Sequence, residues 1–396
     1  MEATSELQIP PQPVVMDVES TPGAKANALV REYLHEHLPI YRELREIKKE
    51  VSTEEGEAYF QRQRNRADNA NEKTKKAFFV IMRNIGREID AATSALTITR
   101  RHHKPRHSIL DLGMAPGGFS LAALQRNPSA ILRGLSLPPS QGGHEMMIRR
   151  KWSVTKTNAQ IFVEFRDVTL LWEEMGVDKA SIPAEHPDAE TFSSDRPFSE
   201  QKFDIVFCDG HVLRTHERGE HREKFEATRL LTSQLVLALQ RIRSGGNMIV
   251  LLHRADNWPS VKLIHMFSRF SDSVELFKPL SGHRMQSSFY MVAKGVRPLR
   301  EEAVQAVKEW KTQWKEATFP MGNLAGMGEE FLGCGEEEKA KAVLEEFGDA
   351  LVRMTGPIFE TRAAALRFAP WMKKSGRTLT PTDEAQRDTI GKQESP

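Results

Sequence analysis

The sequence predicts an α/β fold, a doubly wound and mostly parallel sheet with helical extensions at both ends. Three observations predict it. From residue 107 to about residue 293, short β-rich runs alternate with helical ones, the pattern of a parallel sheet covered by helices on both faces. The first run leads into a glycine-rich turn and a helix start within the fourteen residues His107 to Ser120, HSILDLGMAPGGFS. Before and after this region, apolar residues recur at three- and four-residue steps over long stretches, as amphipathic helices require.

Residues 1–24 carry Pro10, Pro11, Pro13 and Pro22 with little periodicity and are expected to be a disordered tail. Residues 25–106 form an amino-terminal helical region, with helices over 26–50 and 71–96; Phe78, Met82, Ile85 and Ile89 mark the apolar side of the second. The central domain spans 107–297, with strands expected at 109–112, 131–137, 161–165, 203–208, 247–253, 274–277 and 288–293. A helix over 225–243 places Leu231, Leu235, Leu239 and Ile242 on one side and is ended by Gly245-Gly246. The connection 176–202, with Pro183, Pro187 and Pro197, reads as a surface insertion. Residues 298–372 form a carboxyl-terminal helical region with helices at 301–316, 337–354 and 358–368, and the polar segment 373–396 is expected to be disordered.

The formal net charge of +2, with 39% hydrophobic and 28% charged residues, is ordinary for a globular protein and makes no global case for a polyanionic partner. Charge is uneven locally, because residues 61–107 hold twelve Lys/Arg against four Asp/Glu. A basic face of that kind suits an anionic substrate or is simply a solvated helix surface. Cys208 and Cys334 lie far apart and no Cys/His cluster has ligand spacing, so neither a disulfide framework nor a metal site is expected. The amino terminus lacks a basic segment followed by an apolar run, and the strongest apolar stretch, 248–252, is far below membrane-spanning length. A cytoplasmic or nuclear protein without a membrane partner is the expectation.

The glycine-rich turn bears most directly on function. Ligands of open α/β sheets bind outside the carboxyl ends of the strands, where a strand-to-helix turn of this kind lies. Gly113, Gly117 and Gly118 permit positive φ and close approach to the backbone. Their spacing, Gly-x-x-x-Gly-Gly, departs from the G-x-G-x-x-G of dinucleotide sites, and no Lys-Ser/Thr pair follows to place on phosphate and magnesium. A pyrophosphate ligand is therefore disfavoured, and S-adenosylmethionine is the expected cofactor. A second acid-bearing turn, Asp209-Gly210, follows the strand at 203–208 and reaches the same sheet edge.

The segments 110–120, 203–210 and 288–295 occur in the order and context of the FtsJ-like ribose 2′-O-methyltransferase family, which the chain resembles over about residues 75–297, most closely in its fungal FtsJ-domain branch. The resemblance implies a Rossmann-like sheet, S-adenosylmethionine as cofactor and an RNA substrate. It also implies that Asp111, Gly113, Met114, Ala115, Pro116, Gly117, Gly118 and Phe119 surround the methionine part of the cofactor, with Asp111 on its ammonium. Asp167 matches the position that accepts the adenine amino group, and it also suits a helix N-cap. Ser136 stands near the ribose, where many such enzymes carry an acid. Asp209 is the expected active-site residue, able to orient a nucleophile or favour a positive sulfonium centre.

The family's Lys-Asp-Lys-Glu tetrad is incomplete. Asp209 is present, but Val80, Leu251 and Ser288 stand at the other three positions, with Lys75 and Lys76 near the first but offset. Side chains two apart on a strand share a face, so His253 lies one step beyond Leu251 toward the carboxyl edge and is the expected catalytic base. The run His211, Arg214, His216, Arg218, His221 and Arg222, and the pair His283-Arg284, are expected to contact RNA phosphates or to be solvated; no aromatic residues interleave to read bases. The missing tetrad side chains leave two other functions open, a methyltransferase acting on a small molecule or protein and a catalytically silent cofactor- or RNA-binding module. The helical extensions are candidates for a protein partner.

Overall fold

The computed structural model describes residues 23–98, 106–148, 160–319 and 335–371. The two expected tails fall outside these residues apart from Gly23 and Ala24, and Ala24 already opens the first helix. The helix expected over 26–50 is two helices, α1 (Ala24–His37) and α2 (Pro39–Val51). Pro39 lacks an N–H and forces its predecessor out of helical conformation, so Leu38 is extended at φ −129° and starts a new helix. A third helix, α3 (Glu54–Asp68), was not expected, because it is polar nearly all round and buries only Gly56. Tertiary contact explains it: Tyr59 and Phe60 pack on Trp371, with ring centroids 4.7 and 5.2 Å away. The long α4 (Glu72–Thr93) follows, its first turn capped by the Asn71 side chain, which accepts from Thr74 N–H.

Seven strands form one sheet: β1 (Ser108–Leu112), β2 (Ile131–Ser136), β3 (Gln160–Phe165), β4 (Phe203–Cys208), β5 (Ile242–His253), β6 (Ser273–Phe277) and β7 (Ser288–Val296). Their order is β3-β2-β1-β4-β5-β7-β6, parallel throughout except for β7, which runs antiparallel between β5 and β6. This is the expected mostly parallel, doubly wound sheet, flanked by α5 (Gly118–Arg126), α6 (Glu226–Arg241), α7 (Trp258–Phe270), α8 (Glu301–Thr318) and α9 (Glu336–Arg367).

Three local expectations fail for identifiable reasons. The helix expected over 225–243 ends at Arg241, and Ile242 begins β5 by pairing with Phe203. Gly245 and Gly246 therefore sit inside the strand, where the β4–β5 register shifts between Phe203 and Ile205, and do not cap a helix. The helices expected at 337–354 and 358–368 are one 32-residue helix that passes through Pro357. The expected surface insertion at 176–202 is partly interior: Val177, Asp188 and Phe198 are buried, and Phe192 lies in an aromatic cluster with Trp314 on α8 and Phe319 just beyond its end.

Strand alternation divides the core. Ile109, Ile205, Phe207, Ile249 and Tyr290 face α4 and α5, whereas Leu110, Leu112, Val206, Met248 and Val250 belong to the opposite side with α6, α7 and α8. Residues of α1, α2 and α9, among them Val30, Leu44, Leu351 and Phe359, are in that second cluster, so both helical extensions share a core with the sheet.

Candidate active site

The carboxyl ends of β1, β2 and β4 converge. Gly113 and Met114 N–H donate to Leu135 O at 2.9 and 3.0 Å, while Asp209 and Gly210 N–H donate to Leu112 O at 3.2 and 3.1 Å. Gly113 has φ +90°, and a Cβ there would stand 2.4 Å from Gly210 Cα, so the glycine is required by contact between two turns. Gly210 is held from α6 by Gln234, which accepts from its N–H and donates to its carbonyl, both at 2.9 Å. Gln234 carries no motif of its own in the sequence; it is one of several polar residues, with Arg229, Thr232 and Ser233, on the buried part of α6.

Behind the turn, Gly117 takes φ +99° against the side chains of Ile148 and Met146, and a Cβ on Gly118 would lie 2.3 Å from Phe79 O on α4. These two glycines, read as cofactor contacts, serve helix entry and helix packing. Met114 and Phe119 are buried as well, Met114 against Gly134 and Phe119 against the rings of Phe207 and Tyr290.

A cavity of about 440 Å³ opens at this edge. Of the expected cofactor residues, Gly113, Ala115, Pro116, Ser136, Asp167 and Asp209 line it, whereas Asp111, Met114, Gly117, Gly118 and Phe119 lie outside the lining. Leu135, Leu137, Met147 and Val168 supply apolar wall, and Ala67, Asp68, Lys75 and Phe78 bring α3, α4 and the turn between them to its rim. Ser136 Oγ accepts from Ala115 N–H at 3.3 Å and so steadies the glycine-rich turn.

Two buried acids dominate the electrostatics. Asp111 is 1% exposed and accepts from Ser120 Oγ at 2.5 Å; burial pushes it up to about 7 despite that bond. Asp209 accepts from Tyr290 Oη at 2.8 Å, and burial, aided by the nearby Asp111 charge, raises it well above the ordinary carboxylate range although the tyrosine pulls the other way. Among the described residues neither acid has a cationic partner. An enclosed space beside buried carboxylates lacking counter-charge fits a ligand that carries positive charge, as S-adenosylmethionine does on its ammonium and sulfonium groups.

Asp167 is already engaged. Its Oδ1 accepts from Thr169 N–H and Oγ1 at 3.0 and 2.7 Å, and its Oδ2 from Arg222 at 2.9 Å. Burial opposes ionisation, but Arg222 and Thr169 prevail and hold its pKa below the usual value. Asp167, His216 and Glu226 are close enough to surround a cation, and the guanidinium of Arg222, bonded to both acids, provides one.

The basic run after Asp209 is therefore largely self-paired: Arg214 bonds Asp68, Arg218 bonds Glu223 at 2.7 Å, His221 bonds Asp188 at 3.1 Å, and Arg222 is buried. His211, Arg214 and His216 line the cavity, but neither Arg218 nor Arg222 presents a free charge to a phosphate. His283 is also interior, with Nδ1 2.5 Å from Ser288 Oγ.

At the tetrad positions Val80 is 36% exposed and outside the cavity lining, while Lys75 lines the cavity and pairs with Glu72 and Glu145 at 3.1 and 3.4 Å. Leu251 faces Tyr290 across the β5–β7 ladder, and His253 faces Ser288. Tyr290 thus occupies the strand position beside the missing lysine and sends its hydroxyl to Asp209. His253 lies outside the cavity lining; burial and the neighbouring His211 and Lys278 push it down to about 4. Lys278, just past β6, donates to Gln286 O and Ser288 O, both at 2.5 Å.

Residues 90–296 match the family model described as FtsJ-like methyltransferase. Among solved structures the chain is similar to the S-adenosylmethionine-dependent methyltransferase SibL in its apo form, with 13% identity over 49% of this chain and 51% of that one, and a TM-score of 0.29. It is similar also to a chain of a fibrillarin/Nop5p complex, with 12% identity, coverage of 55% and 83%, and a TM-score of 0.32. For an O-methyltransferase family protein from Burkholderia thailandensis the values are 10%, 68% and 72%, and 0.32. The match to SibL spans about half of that protein's length. No curated protein matches the sequence.

Proposed function

The chain belongs to the FtsJ-like methyltransferase family, and on that premise we propose that it methylates a ribose 2′-hydroxyl of RNA. S-adenosylmethionine is its cofactor and supplies, when bound, a methyl group on positively charged sulfur. The observation that carries the reading is Asp209: a buried carboxylate on the cavity wall, aimed by a tyrosine hydroxyl and without a cationic partner among the described residues.

Gly113, Ala115, Pro116 and Ser136 would hold the cofactor directly, Asp167 would border its adenine end while bonded to Arg222, and Met114, Gly117, Gly118 and Phe119 would brace the turn from behind. Asp111, one layer deeper, would act on its ammonium through space. Positive charge in the cavity favours the ionised form of Asp209, which then orients the acceptor hydroxyl. Burial with the charges of His211 and Lys278 leaves His253 weakly basic, and it stands outside the cavity lining, so Asp209 on the cavity wall would be the group that meets the acceptor hydroxyl. His253, beside His211, would relay the proton only secondarily.

Titration calorimetry with S-adenosylmethionine tests the cavity, and transfer of labelled methyl to RNA, protein and small-molecule fractions tests the chemistry. Label is expected on ribose oxygen in RNA nucleosides. Asp209→Asn should lower transfer by about 100-fold or more, and His253→Ala by less. Label confined to protein or small molecules would replace the RNA substrate, and cofactor binding without transfer to any fraction would make the chain a binding module.

A further inference from the structure

A group of cations gathers where both helical extensions meet the end of β5. Lys48 comes from α2, Arg254 follows His253 directly, and Arg362 comes from α9; all three are half-buried. Each lies within electrostatic reach of the other two, and the carboxylate they share is Asp256. Asp256 is itself fixed by Tyr41 Oη, which donates to it at 3.1 Å. Among the described residues no carboxylate stands within ion-pair distance of Lys48, Arg254 or Arg362. Arg31 adds a fourth cation at the rim, bonded to Asn257 Oδ1 at 2.9 Å.

The side chains are placed and not merely crowded. Arg362 donates through Nε to Met285 O at 3.2 Å, which fixes the guanidinium plane and leaves both terminal nitrogens without a partner among the described residues. Arg254 takes φ +55°, uncommon for a residue with a side chain, and is anchored by its N–H on Ser287 O at 3.0 Å. Three partly desolvated cations around one acid carry uncompensated charge, and burial, with repulsion from Arg362 and Arg254, lowers Lys48 to about 8. Such an arrangement is unfavourable empty and favourable around an anion, above all one that accepts the planar fork of arginine.

One turn links the group to the end of β5 beside the candidate active site. Arg362 donates to Met285 O, Lys278 to Gln286 O and Ser288 O, and Arg254 N–H to Ser287 O, while Ser288 pairs with His253 across the β5–β7 ladder, and the charge of His211 on the cavity wall reaches His253. We propose that Lys48, Arg254 and Arg362 form a phosphate-binding site, occupied by a phosphodiester of the RNA strand whose ribose reaches Asp209. The RNA occupant rests on the function proposed above; the phosphate chemistry rests on the cations alone. On this reading the two extensions complete a substrate site that the sheet domain cannot form by itself, which also accounts for phosphate recognition despite the self-paired run after Asp209.

The experiment measures fluorescence anisotropy with a single-stranded oligoribonucleotide as a function of salt, alongside thermal melting with added inorganic phosphate. The Lys48→Gln/Arg254→Gln variant should bind the oligonucleotide about tenfold more weakly near 0.1 M salt, with a log–log salt slope shallower by roughly 1.4, two phosphate contacts at about 0.7 each. Lys48→Arg should retain wild-type binding, and Lys73→Gln/Lys308→Gln, which removes two exposed charges elsewhere, should change neither quantity. The double variant relieves repulsion but also removes two of the three cations around Asp256, so its own melting temperature without phosphate is the reference, and phosphate should stabilise the wild type but not the variant. A well-folded variant with wild-type affinity, slope and phosphate response would overturn the site. Loss of the phosphate response with unchanged RNA binding would assign the site to free phosphate and remove the RNA occupant. If the wild type binds no RNA while the phosphate response still depends on these residues, the site stands and the RNA-methylation reading falls.

Discussion

Asp209 accepts a hydrogen bond from Tyr290, and that bond lowers its pKa against burial. Tyr290→Phe should therefore raise Asp209 further, and the acidic limb of the kcat profile, measured at saturating donor, should move to higher pH; an unmoved limb would show that Asp209 does not titrate in catalysis. Asp111 makes a stability prediction of definite sign. Its folded pKa of about 7 exceeds its ordinary 3.8, so the folded state keeps a proton that the unfolded chain has lost. Without cofactor, the contribution of Asp111 is most favourable below about pH 4 and is lost as pH rises to 7, a difference of up to ~4 kcal/mol at 1.36 kcal/mol per pKa unit. Asp111→Asn should melt higher than the wild type at pH 8 and alike at pH 4, and saturating S-adenosylmethionine should shrink the gap. Both acids were legible in the sequence because Asp209 stands directly before Gly210 and Asp111 two residues before Gly113, each at the close of a β-rich run. Tyr290, Gln234 and Lys278 were not, since a polar residue in an apolar strand or helix reveals its partner only when another segment is brought against it.

Glycine roles belong to the elements. Gly117 and Gly118 looked like ligand-approach residues, but Gly118 lets α5 lie against α4, with Phe79 O where a Cβ would be. Gly118→Ala should lower stability in urea denaturation by about 1–3 kcal/mol through forced helix separation, and weaken cofactor binding only as far as the turn shifts. Arg241 on α6 holds the connection 176–202 by donating to Pro197 O at 3.1 Å, and it bonds the fully buried Glu174, just before that connection, at 2.5 and 2.8 Å. Arg241→Ala leaves that carboxylate with the half-exposed Arg196 at 3.8 Å and no buried partner, and should remove about 3 kcal/mol in the same measurement. Neither tie was readable beforehand: the connection's prolines and polar residues suggest an exposed loop, and an ion pair spanning 67 positions leaves no local trace. Helix boundaries failed where sheet pairing overrode local pattern, as at Ile242, whose apolar side chain satisfies a helix face and a strand equally well.

Across the whole molecule, α1, α2 and α9 share an apolar cluster with β1, β4 and β5, and Trp258 Nε1 donates to Glu336 at 2.7 Å where the last helix begins. Helical extension and sheet should unfold in one transition. Leu351→Ala, at a fully buried site on α9, should shift the urea midpoints of far-UV dichroism and tryptophan fluorescence together, by about 2–5 kcal/mol. A separate early transition would show that the extensions are independent units. Read without coordinates, the chain already dictates the alternating sheet, its glycine-rich turn, the methyltransferase family and the two acids at the sheet edge, because periodicity and turn chemistry are local properties of neighbouring residues. The pairing of Asp209 with Tyr290, the burial that raises Asp209 and lowers His253, and the meeting of Lys48, Arg254 and Arg362 emerge after folding. Hydrogen bonds, desolvation and counter-charges depend on which distant segments come into contact, and no local spacing encodes that.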